Sequence, residues 1–170
     1  MAQKKEFKSN GVQYIFQRPP LSYVGKMTDD SKEGRRIIPY KYYKNIMEHV
    51  IVSPKVDFAH FDQIEPNKEE AFELNGVEYT FVYPGAKKIS EMEGDMQDDA
   101  GNPSEYNTHV QLLGHVIRVD GEKINFEFFE ELENPADFFT VIEKAAEFFK
   151  ESEFKKVINE AVTFFRGQKK

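Results

Sequence analysis

Two ten-residue stretches, FKSNGVQYIF at 7–16 and FELNGVEYTF at 72–81, share one pattern of apolar and polar positions. Each centres on Asn-Gly, at Asn10-Gly11 and at Asn75-Gly76. That dipeptide supplies the positive φ angles of a type I′ turn, so each stretch predicts a β-hairpin. The runs after the turns, VQYIF and VEYTF, are rich in the β-branched and aromatic residues that suit strands. Pro19-Pro20 and Pro84-Gly85 end them. Leu21, Val24 and Met27, and in the second stretch Ile89, Met92 and Met96, then recur at helical spacing and predict a short helix. Polar linkers, TDDSKEGRR and QDDAGN, come next.

Pro39 predicts the start of a second helix. Asn102-Pro103-Ser104-Glu105 predicts its counterpart, with Asn102 as N-cap, Pro103 at the first helical position and Glu105 in the first turn. The apolar stripes are Tyr43, Met47 and Val50, and Tyr106, Val110 and Leu113. These helices run into HVIV and HVIRV, readable as a last turn or a short strand. The apolar segments after them, VDFAHFD and INFEFFE, fit neither period clearly.

The parallel between the two halves is an internal repeat. At an offset of 65 it matches Phe7 with Phe72, Tyr14 with Tyr79, Phe16 with Phe81 and Met27 with Met92. With a small drift it continues to His49-Val50-Ile51 and His115-Val116-Ile117. A second repeat closes the chain: FFTVIEKAAEFFK at 138–150 and FKKVINEAVTFFR at 154–166 align at an offset of 16. Asn134-Pro135-x-Asp137 predicts the start of the first of these helices, with Asn134 as its N-cap. An offset of 16 turns an apolar stripe by about 160°, so the chain turns near Lys150–Glu153 or one long helix serves two surfaces. The fold class expected is α+β: repeat unit 1 over 1–64, repeat unit 2 over 65–133, and paired amphipathic helices over 134–170. Tandem duplication is the expected origin, and it would make the chain a fused pseudo-dimer.

Composition narrows the chemistry. The 170 residues include 16 Phe but no Cys and no Trp, which excludes disulfides, thiolate nucleophiles and Cys-ligated metals. No apolar run can span a bilayer, and MAQKKEFKSN has no signal-peptide core. A soluble, cytoplasmic protein is expected. The net charge of −7 argues against nucleic acid as a partner. Charge is uneven: residues 1–61 carry +5 and residues 62–134 carry −13.

Little in the sequence suggests catalysis. His49 and His115 are repeat equivalents at helix ends, where a cation suits the dipole. No HExxH, phosphate-loop or nucleophile-elbow motif occurs, and the acidic run Glu91–Asp99 does not have calcium-loop spacing. No catalytic residue, metal or cofactor is expected. The Phe pairs of the last two helices widen their stripes beyond a simple seam, which suits either core or an interface. Phe138, Phe148, Phe149, Phe154, Phe164 and Phe165 are the candidate partner-binding residues, with Tyr43, Met47 and Leu113 as further lining.

The hairpin NGVxYxF followed by Pro, two helices and then HVIVSPKVDFAHFD resembles a small family of tail assembly chaperones from phages and prophages of Gram-positive bacteria. The resemblance covers 7–62 best, and 72–150 as a degenerate second copy in which Val119-Asp120-Gly121 stands near the place of Ser53-Pro54-Lys55. It implies a non-enzymatic protein that keeps an apolar helical tape-measure protein soluble during tail assembly and works in the host cytoplasm; self-association is expected separately, from the wide Phe faces of the last two helices. Two other classes stay open: a structural tail component such as a tube or connector subunit, and a small enzyme using His49 or His115.

Overall fold

The computed structural model describes residues 3–167. In chain order the elements are β1 (Lys4–Ser9), β2 (Val12–Gln17), α1 (Leu21–Asp30), β3 (Lys32–Glu33), β4 (Arg36–Ile37), α2 (Pro39–His49), β5 (Ile51–Ser53), α3 (Phe58–Ile64), β6 (Glu69–Leu74), β7 (Val77–Val82), α4 (Ala86–Asp95), α5 (Glu105–His115), β8 (Ile117–Val119), β9 (Glu122–Lys123), α6 (Phe126–Glu130), α7 (Asp137–Lys150) and α8 (Glu153–Arg166). Helices and antiparallel sheets are both substantial, and the fold is α+β.

Both expected hairpins form. Ser9 pairs with Val12 and Leu74 with Val77 across the turns. Asn10 and Asn75 take φ of 49° and 50°, and Gly11 and Gly76 take 78° and 84°, as a type I′ turn requires. HVIV and HVIRV resolve as short strands: β5 adds to β2, and β8 adds to β7. A further hairpin, β8–β9, turns on Asp120-Gly121 with the same positive φ angles. The linker TDDSKEGRR is partly structured, since its residues supply the small ladder β3–β4.

The two apolar segments of uncertain type are short helices. Asp57 caps α3 by accepting from the His60 N–H at 2.9 Å, and Asn125 caps α6 by accepting from the Phe128 N–H at 3.1 Å. Two expected caps move. Ser104, not Asn102, caps α5, accepting from the Asn107 N–H at 3.2 Å. Asn134 accepts from the Ala136 N–H in a turn, and α7 begins only at Asp137. In both cases the proline sits in the approach to the helix rather than in its first turn.

Contacts divide the chain into two compact units that cut across the expected thirds. Unit 1 holds the chain up to Glu65, the segment Gly85–Gly94, and the chain from Glu153 onward; unit 2 holds Pro66–Pro84 and Asp95–Ser152. The last two helices are therefore not a separate pair. They break at Glu151-Ser152; α8 belongs to unit 1 and α7 to unit 2. The segment Gly85–Gly94, which carries nearly all of α4, belongs to unit 1 although its sequence follows the second hairpin. By sequence count, unit 2 has 5 basic and 18 acidic residues, net −13; unit 1 has 18 and 12, net +6.

Each core is built around matching rings. In unit 1, Tyr14 stacks on Phe61 at 6.3 Å, Phe61 meets Phe154 of α8 edge-on at 5.3 Å, and Phe16 lies 6.1 Å from Phe164. In unit 2, Tyr79 stacks on Phe129 at 6.0 Å, Phe129 meets Phe138 of α7 edge-on at 5.2 Å, and Phe81 lies 6.0 Å from Phe148. Residues aligned by the sequence thus occupy matching contacts, and one closing helix serves each unit. Ring pairs of this geometry add roughly 0.5–1.5 kcal/mol each beyond the area they bury.

Candidate helix-binding face

On one side of unit 1 the rings of α2, α3 and α8 form a row. Tyr40 stacks on Phe58 at 5.5 Å, Phe58 lies 5.9 Å from Phe154, and Tyr43 meets Phe154 edge-on at 5.9 Å. Helix α4 covers this row. Asp62 accepts from the Ala86 N–H at 2.8 Å and so satisfies a free donor at the start of α4. Lys87 Nζ sits 5.9 Å over the Tyr40 ring. A Cβ on Gly94 would come within 3.6 Å of the Pro39 ring. Near the helix end the Glu93 carboxylate accepts from the Tyr43 hydroxyl and from Lys155 Nζ, and that ammonium also lies 5.0 Å over the Tyr43 ring. Burial, reinforced by the Glu93 charge, pushes the Tyr43 phenol well above its usual range.

The same row exists in unit 2. Tyr106 stacks on Phe126 at 5.9 Å, Phe126 lies 5.6 Å from Phe138, and His109 meets Phe138 edge-on at 5.0 Å. Tyr106, His109 and Phe126 stand where the repeat aligns Tyr40, Tyr43 and Phe58. Phe139 stands where the closing repeat aligns Lys155. Here the row is open: Tyr106 is 66% exposed, Phe139 64% and Val110 37%. They are three of the four large apolar side chains exposed among the described residues, and all three belong to unit 2. The covered row of unit 1 has the architecture of a seat for an amphipathic helix, and unit 2 presents that architecture without its helix.

The expected partner-binding residues divide unevenly between core and surface. Phe148, Phe149, Phe154, Phe164 and Phe165 are buried, as are Met47 and Leu113. Their wide stripes pack against the sheets and helices of the units, so they are not a free face. Tyr43 is half-buried in the covered row of unit 1. Phe138, half-buried, is the one that lines the open row of unit 2. Tyr106, Val110 and Phe139 did not stand out, because helical spacing places a residue on a stripe without showing which part of that stripe is covered. Leu21, read as part of the α1 stripe, is the fourth exposed apolar side chain, at 84%.

The histidines make local contacts. His49 Nε2 lies 3.1 Å from the Tyr23 hydroxyl and 3.7 Å from Glu48, at the rim of an open cleft with Arg18, Pro20 and Val52. His60 Nε2 lies 2.9 Å from the Tyr14 hydroxyl, and burial lowers its pKa. Among the described residues, no three His, Asp or Glu side chains gather as a group able to hold a metal ion. No helix among them is long and apolar enough to cross a membrane.

Comparison of the chain with protein-family models, with curated proteins and with solved structures finds no similar protein.

Proposed function

We propose that this chain is a non-enzymatic assembly protein that binds an amphipathic helix, acting as a tail assembly chaperone of phage or prophage in the host cytoplasm. The observation that carries the reading is the open row of unit 2, Tyr106–Phe126–Phe138 with Phe139 beside it, set against the same row in unit 1 under α4. Helix-in-groove recognition lays one helix face on such rings, and in unit 1 α4 lies against the matching row through Lys87 over Tyr40 and Glu93 on Tyr43. The similarity of HVIVSPKVDFAHFD to tail assembly chaperones supplies the biological setting, in which the bound helix belongs to a long, apolar tape-measure protein.

Co-expression with the product of a neighbouring long, helix-rich tail gene tests this directly. The expected result is a soluble complex that Phe139→Glu abolishes. Phe139 is largely exposed, so this change leaves the fold intact, as circular dichroism can verify. Failure to recover a complex with the unaltered chain, or one unaffected by Phe139→Glu, overturns the reading. Recovery of the protein in purified particles would instead favour a structural tail component.

A further inference from the structure

The helix that covers unit 1 has a counterpart elsewhere in the chain, and that counterpart is uncovered. At the offset of 65, α4 aligns with α1: Ala86 with Leu21, Lys87 with Ser22, Ser90 with Gly25, Glu93 with Thr28 and Gly94 with Asp29. These positions lie within about 120° of one another around a helix, so they form one face. In α4 this is the face turned to Asp62, Tyr40, Tyr43 and Pro39. In α1, Leu21, Ser22, Gly25 and Asp29 are all exposed, and a Cβ on Gly25 would meet nothing within 4 Å. Another side of α1 is already engaged in unit 1: Met27 is buried, and Tyr23 packs edge-on against His49 of α2 at 4.8 Å. One end of the chain thus offers a helix face with no seat, and unit 2 offers a seat with no helix.

We propose that the exposed face of α1 in one copy docks on the open row of unit 2 in a second copy, repeating the contact that α4 makes in unit 1. The proposal rests on the reading of that row as a helix seat, and names its occupant in the isolated protein. At one place across the contact the side-chain changes are matched, whereas the Lys87 cation over Tyr40 has no counterpart because Ser22 stands there. The polar pair Glu93 and Lys155 of unit 1 becomes Thr28 and Phe139, a methyl-bearing side chain opposite a ring. Glu130, exposed, stands where the repeat aligns Asp62, and offers a carboxylate to the start of α1 as Asp62 does to α4. The α1-bearing unit carries +6 and the receiving unit −13, so copies attract in this orientation and steer head to tail. One pair opposes it: Asp29 would face Glu105, both exposed and free to swing apart. Two different surfaces meet, so the contact is heterologous and repeats into a ring or a filament rather than closing as a two-fold dimer. A single helix face is small for an interface, so association is weak and concentration-dependent.

Sedimentation velocity on the purified chain, alone, decides the matter. The wild type should grow in mass with concentration up to ~100 μM, a range suited to a contact of this size. Gly25→Glu blocks the helix face while replacing glycine by a better helix former, so it keeps α1 folded. Phe139→Glu blocks the seat at an exposed position. Each variant alone should associate at least about tenfold more weakly than the wild type, as loss of an interface anchor does. Mixed in equal amounts, they should form a one-to-one dimer and nothing larger, because each supplies the surface the other lacks. A wild type that stays monomeric, a variant that associates as the wild type does, or a mixture of any other composition overturns the proposal. Because no other protein is present, such a failure leaves capture of a foreign helix standing; failure of the co-expression experiment leaves self-association standing.

Discussion

Tyr14 and Tyr79 occupy matching places, each stacked on the phenylalanine of a short helix, yet their hydroxyls fare differently. Tyr14 meets His60 Nε2 at 2.9 Å. In unit 2 the aligned residue is Phe128, and the Tyr79 hydroxyl is buried with no hydrogen-bond partner. Burial, and Asp137 nearby, raise the Tyr79 pKa. A buried unpaired hydroxyl costs on the order of 1–3 kcal/mol, and supplying its partner recovers part of that. Phe128→His should therefore stabilise the chain by about 1 kcal/mol in urea denaturation, against the usual direction of a substitution in an apolar cluster. A loss of stability would show that the imidazole does not reach the hydroxyl as it does in unit 1. Asn10 and Asn75 show the same divergence: beyond their shared turn, Asn10 donates to the Ile64 carbonyl at 3.2 Å while Asn75 donates to Asp137 at 3.0 Å.

At the scale of elements, α4 in unit 1 is held by the Asp62 carboxylate at its start, by Lys87 over Tyr40, and by one buried polar cluster. Lys155 and Glu93 are both largely withdrawn from water, and each depends on the other. Removing one partner of a buried pair leaves an uncompensated charge and costs about 3–5 kcal/mol, whereas replacing both by groups that pack is often neutral. Lys155→Phe alone should thus destabilise by about 3 kcal/mol, and adding Glu93→Thr should recover most of that loss. The double change installs the Phe and Thr found at the aligned positions of unit 2 and α1. Thermal or urea unfolding of the four proteins of the cycle reads the coupling; additive losses would mean that the pair does not act as a unit.

Much of this element structure was legible. Asn-Gly between strand-like runs admits few alternatives, so both hairpin turns are legible in the sequence. Asp120-Gly121 carries the same signal, and the β8–β9 hairpin turns there. The α3 and α6 segments were ambiguous by period; their caps, Asp57 and Asn125, were the local clue. What sequence could not carry is the allocation of helices to units. The apolar stripes of α7 and α8 fit a pair, a single long helix or two separate cores equally well, since the choice depends on contacts far apart in the chain. The open row was illegible for the same reason: Tyr40 and Tyr106 look alike locally, and only the position of α4 makes one covered and the other free.

For the whole molecule, the open row of unit 2 is a seat for a helix, and α1 of another copy fills it. The distribution of charge, +6 against −13, becomes intelligible in that light, since it favours contact between unlike units of different copies. The chain contains no tryptophan, so a single indole reports on the seat without background. The most direct measurement places that indole in the seat with Tyr106→Trp, blocks the same chain's own helix face with Gly25→Glu, and titrates it with a chain whose seat is blocked by Phe139→Glu. A saturable blue shift of the emission, approached only with the added chain in excess and absent when that chain also carries Gly25→Glu, is the predicted result. An emission that stays that of an exposed indole throughout, or a shift that persists when the added chain's α1 face is blocked, would contradict it.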